Sequence, residues 1–134
     1  MNNFDYGKLR EQGICEQAIV CYKNLRHIND NLEIAIREYQ NTCIELYHNK
    51  KQREAFMETA IKTVKIYDNE KYIFVSENDP NFASYAELSK QYYDLVVKKL
   101  ELYKKVQEYA DLNHNVWEEL YRLEEKGYKI EWKN

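Results

Sequence analysis

One proline and three glycines in 134 residues leave little turn chemistry, which disfavours a sheet of many short strands and favours long helices. No apolar run approaches the ~20 residues of a membrane span. The polar start, MNNFDYGK, is not a signal peptide, so a cytoplasmic location is expected and a membrane is not an expected partner. Cysteine is scarce: Cys15, Cys21 and Cys43 are odd in number and lack metal-ligand spacing. Their helical, apolar setting suits buried free thiols in a reducing compartment. A surplus of one charge is missing too, since 20 basic and 23 acidic residues give −3 with both signs scattered. A general nucleic-acid binder shows a basic surplus or stripe, and a polyanion mimic a far larger acidic excess. Neither extreme applies, and nucleic acid is not the expected partner.

Catalytic and cofactor signatures are also lacking. Only His27, His48 and His114 offer imidazole, no glycine-rich loop follows a strand, and no serine sits in a nucleophile-like turn. Small helical ribonucleases use an arginine and a histidine four to six residues apart, but here Arg26 and His27 are adjacent while Arg37 and His48 are eleven apart. Glu45 with His48, and Asp111 with His114, have the spacing of the Glu-x-x-His pairs in di-iron bundles. However, Leu46 and Val116 hold the core-facing positions, which turns both histidines away. No catalytic residue, metal or cofactor is therefore assigned, and an enzyme is not expected.

What the chain does contain is helical periodicity. From Phe82 to Leu123, Tyr85, Leu88, Tyr92, Leu95, Leu102, Val106, Tyr109, Val116, Leu120 and Leu123 follow alternating three- and four-residue steps. That is a heptad seam. Asp79-Pro80 breaks the chain before it and Gly127 after it, so a rod of some forty residues, roughly 60 Å, is predicted over 82–126. Val96, Tyr103, Ala110 and Trp117 add a third apolar column, and Tyr93, Leu100 and Tyr121 a partial fourth, so the rod should meet more than one neighbour. Lys99 and Asn113 interrupt the seam. A polar residue there can fix register or partner number at a cost in stability, so these two are the expected oligomer-register positions, and Asn113→Leu is expected to stabilise the fold.

Upstream, Ile14, Ala18, Cys21, Leu25, Ile28, Leu32, Ala35, Tyr39 and Leu46 predict a helix over 14–47. A capping-box pattern at Asp30 to Glu33 interrupts it only locally. The polar stretch Tyr47–Glu54 is the expected turn, with one very long helix as the alternative. Phe56, Ala60, Val64 and Tyr67 then place a second helix over 53–75. Its end, Lys71–Val75, reads equally as a strand, for which the tail 128–132 is the available partner.

The predicted fold is all-α: one helical domain, 1–134, with three long helices (14–47, 53–75 and 82–126) in a bundle that oligomerises along the C-terminal helix. A small two-stranded element from 71–75 and 128–132 is its variant. Tyrosine and tryptophan are large, amphipathic and short of rotors, and they anchor interfaces. Tyr93, Tyr103, Trp117, Tyr121 and Trp132 are the candidate binding residues. Abundant Lys, Asn, Tyr and Ile all have AT-rich codons, so genome bias explains the tyrosines equally well. Small acidic helical proteins of AT-rich bacteria and their phages are often inhibitors or assembly factors. The expected function is a non-enzymatic interaction protein with a protein partner that is itself a homo-oligomer. The alternatives are a small-ligand or nucleotide binder with a tyrosine-lined pocket, and a subunit of a nucleoprotein complex using Lys50, Lys51 and Arg53 with Lys98, Lys99, Lys104 and Lys105.

Overall fold

The structure, a computed structural model, describes residues 5–132. It is mostly helical, with one small antiparallel sheet. In chain order the elements are α1 (Tyr6–Glu11), α2 (Glu16–Thr59), β1 (Lys62–Tyr67), β2 (Glu70–Val75) and α3 (Phe82–Glu125). Neither long helix contains a glycine or proline. Asp5 caps α1 by accepting from the Gly7 and Lys8 amides. Gly13 and Gly127 close α1 and α3 in the left-handed region, at φ 84° and 93°. At each the two following amides fold back, Gly13 to Arg10 and Ile14 to Leu9, Gly127 to Glu124 and Tyr128 to Leu123. These are paired Schellman closures, and the Ile14–Leu9 one is sealed by two core side chains.

The rod over 82–126 is present as α3, and the helix expected from residue 14 runs unbroken past Asn29–Asn31. Two expectations fail. The turn at Tyr47–Glu54 does not form; α2 continues to Thr59, so there are two long helices rather than three. The stretch lacks apolar residues, but its inward positions are filled by satisfied polar groups. Asn49 donates to the Leu88 carbonyl and accepts from Arg53 Nε. Lys50 and Lys51 reach Glu54 on the outside. The helix expected over 53–75 is also absent, because beyond Thr59 the chain forms a hairpin. Lys71–Val75 is indeed a strand, but it pairs with Lys62–Tyr67, and the tail 128–132 is not a strand. A two-residue turn at Asp68-Asn69, with φ 49° and 65°, closes the hairpin locally and has the right hand for strand twist. Closing a loop of some fifty residues onto the tail would cost more chain entropy.

The chain falls into two compact units: the residues up to Arg37 with those from Lys104 onward, and Glu38–Tyr103. In the first, α1, α2, α3 and the tail enclose a core of Leu9, Ile14, Ala18, Ile19, Cys21, Leu25, Leu120, Leu123 and Ile130. The second is built differently. Of its apolar residues only Val75 and Leu102 are fully buried, whereas Thr42, Asn49, Ser76 and Asp79 are buried polar ones. Every buried side-chain polar atom among the described residues has a hydrogen-bond partner, as burial of polar groups requires.

Candidate functional site

The structure divides the five candidate aromatics between the units. Trp117, Tyr121 and Trp132 come together in the first, around Tyr22. α3 supplies Trp117 and Tyr121, four residues apart on one helix face. The tail supplies Trp132, which folds back because the Schellman turn redirects the chain and Ile130 enters the core. The Tyr22 hydroxyl donates to the Ile130 carbonyl, and Lys129 Nζ donates to the Gln12 carbonyl. Both indoles stand edge-on to the Tyr22 ring, Trp117 at 6.5 Å and 81°, Trp132 at 6.3 Å and 85°. Tyr121 tilts against Trp117 at 6.3 Å. The resulting cleft has a volume of about 720 Å³ and is also bordered by Arg26, Glu124 and Glu131. Burial pushes the Tyr22 hydroxyl above its ordinary pKa, and Cys21, Glu131 and Glu124 add to the shift.

Tyr93 and Tyr103 belong to the second unit. Tyr103 lies against Tyr39 at 6.2 Å and Tyr93 against Tyr92 at 5.4 Å, and both keep at least half of their surface open. Between α2 and α3 runs a groove of about 860 Å³, with Leu46, Tyr92 and Val96 along it and Tyr47, Met57, Tyr85 and Leu100 beside them. Its charged groups are Lys50, Arg53, Lys99 and Glu54. Arg53 lies over the Tyr92 ring at 4.3 Å, a cation–π arrangement, and Phe56 meets Tyr85 at 5.2 Å. Lys99 is half-buried, its ammonium 5.9 Å from the Tyr39 ring centre, so its stem lies along the seam while its head reaches the rim. Sequence periodicity misses Arg53 and Asn49 because each takes an inward position without being apolar.

Asn113 has a partner within its own chain, donating to Asn29 Oδ1 at 2.7 Å. The stabilisation expected of Asn113→Leu therefore depends on Asn29. The bond is solvent-exposed, so an asparagine left alone is hydrated and only the modest net contribution of the bond is lost. In a double-mutant cycle with Asn29→Leu, the two changes should couple by about 0.5 kcal/mol, read from urea unfolding. Additive effects would show that the contact does not hold register.

His48 and His114 are exposed, turned off the core as the positions of Leu46 and Val116 imply. His114 Nε2 lies 2.9 Å from Glu118. Among the described residues no group of three histidine, cysteine or acidic side chains is placed to hold a metal ion. Cys15, Cys21 and Cys43 are free thiols. Burial, with Glu119 and Cys15, pushes the Cys21 thiol up, which favours its protonated form. No helix among the described residues is long and apolar enough to cross a membrane. No family model, curated protein or solved structure matches the chain.

Proposed function

We propose that this is a non-enzymatic helical interaction protein, of the assembly-factor or inhibitor type, that takes a helix of a partner protein into the groove of its second unit. One observation carries this. The unit buries polar side chains and leaves apolar ones open: Leu100 and Tyr47, which line the groove, are 62% and 57% exposed, and Tyr93, Ile44, Val97 and Tyr103, outside it, are more than half exposed. Its hairpin is equally bare. Val64, Ile66 and Ile73 share one face by register and remain half exposed or more. Hydrophobic surface of this kind marks interaction sites, and a grooved helix pair suits an amphipathic helix with anchors at i, i+3, i+4 and i+7. The charges select the partner's sign. Lys50, Lys51, Arg53 and Lys99 against Glu54 make the rim cationic, so an acidic helix is complementary.

The same apolar face also supports self-association into a helical bundle when no partner is present. Two copies would then oppose like charges, so salt should strengthen self-association while weakening capture of an acidic helix. The test uses two designed amphipathic peptides with identical leucine anchors, one flanked by glutamate and one by lysine. The acidic peptide is expected to bind at least about tenfold more tightly, with Leu100→Glu abolishing its binding while leaving the helical circular dichroism unchanged. Equal binding of both peptides, or of neither, would overturn the proposal. One observation favours a second reading: Arg53 on Tyr92, beside Lys50 and Lys99, offers a ring face and cations that suit a nucleotide's base and phosphates. A melting-temperature rise with nucleoside triphosphates, removed by Arg53→Gln, would favour it.

A further inference from the structure

The aromatic cleft of the first unit has chemistry of its own. We infer that Tyr22, Trp117, Tyr121 and Trp132, with Glu124 and Glu131 at their border, form a binding site for an alkylated ammonium group. The chain has two tryptophans, and both are brought to this cleft. They arrive on different elements, one on α3 and one on a tail held by the Ile130 anchor and the Tyr22 hydroxyl. Two indoles at near right angles to a central phenol, with a fourth ring beside them, gather four aromatic rings around one cleft. Aromatic rings attract a cation through the ring quadrupole, most strongly for tryptophan.

The border charges point the same way. Glu124 and Glu131 outnumber Arg26, leaving a negative surplus. Both carboxylates border the same cleft as the Tyr22 ring. A neutral apolar ligand filling the cleft would strip water from these carboxylates without replacing it, whereas a cation offsets that cost. Among cations, a primary ammonium or a metal ion holds its hydration strongly. A trimethylated nitrogen carries its charge on a weakly hydrated apolar surface, the combination that ring faces and nearby carboxylates reward. The cleft's 720 Å³ accommodates such a head together with a tether.

Because both tryptophans lie in the cleft, intrinsic tryptophan fluorescence reports on it directly. Titration with choline, with its neutral carbon isostere 3,3-dimethyl-1-butanol and with sodium chloride at matched ionic strength separates charge from shape. Choline is expected to give a saturable change and to bind on the order of three- to thirtyfold more tightly than the isostere. Glu131→Gln should weaken choline binding and Arg26→Gln strengthen it, with unchanged circular dichroism, while Glu87→Gln in the second unit, also exposed, leaves it unaltered. A trimethyl-lysine peptide bound more tightly than choline would assign the cation to a protein chain, and the reverse to a small molecule. Equal binding of choline and its isostere, or no saturable change with either the peptide or choline, overturns the site. The outcome is independent of the groove, whose leucine-anchored peptides are read separately.

Discussion

Leu120→Ala should lower the free energy of unfolding by about 3–4 kcal/mol. The Leu120 side chain is 0% exposed, packed into the core where α1, α2, α3 and the tail meet. Truncation to alanine removes the transfer free energy of the lost carbons and leaves a cavity. Collapse of that cavity is resisted on every side, because Leu9 and Ile14 are fixed by the α1 closure and Ile130 by the α3 closure. Stability of a domain this size is on the order of 5–15 kcal/mol, so the change should be plain in urea unfolding followed by helical circular dichroism. Leu112→Ala is the internal control. Leu112 lies on the same helix but is 47% exposed, and its truncation should stay within about 0.5 kcal/mol. Equal effects at both positions would mean that the first unit lacks the core described.

The contrast between these leucines was legible in the chain, since Leu120 continues the seam of α3 and Leu112 does not. The rod's ends were legible for the same kind of reason: Pro80 and Gly127 are strong, local signals. The length of α2 was not. A turn had been inferred at Tyr47–Glu54 from missing apolar residues, but a helix needs its inward positions filled, not necessarily by carbon. Asn49 and Arg53 fill them with hydrogen bonds and a ring contact that only the facing helix provides.

The hairpin was obscured by a coincidence of periods. Phe56, Ala60, Val64 and Tyr67 keep helical spacing across the point where the helix ends, and the turn uses Asp68-Asn69 without the glycine that usually announces it. At the candidate site, Trp117, Tyr121 and Trp132 were legible as candidate binding aromatics. What joined them, Tyr22, lies nearly a hundred residues away in the chain, and no local pattern connects it to them. Lys99 and Asn113 were legible as seam interruptions, while their partners Tyr39 and Asn29 were not.

Asp79→Ala should be the most damaging single change in the second unit, at about 2–3 kcal/mol. The side chain is buried and serves two amides at once. One carboxylate oxygen accepts from Ile61, at the entry to β1, at 2.7 Å; the other accepts from Asn81, just before α3, at 2.8 Å. Its own carbonyl accepts from Phe82, closing a turn with Pro80 at its second position. Ser76 adds a backbone bond to Ile61, so a single carboxylate and one neighbouring amide fix where the hairpin leaves α2 and where α3 begins. Alanine leaves the Ile61 and Asn81 amides without their part-buried acceptors, and a hydrogen bond to a charged group contributes more than a neutral one. Asp79→Asn preserves the shape but offers one acceptor oxygen for two donors, so it should recover only part of the loss. Amide hydrogen exchange would localise the effect, with Ile61 and Asn81 exchanging faster in both variants while the core amides around Leu120 keep their protection. If Asp79→Asn matches the parent in unfolding and in exchange at both amides, the carboxylate does not join the hairpin to α3.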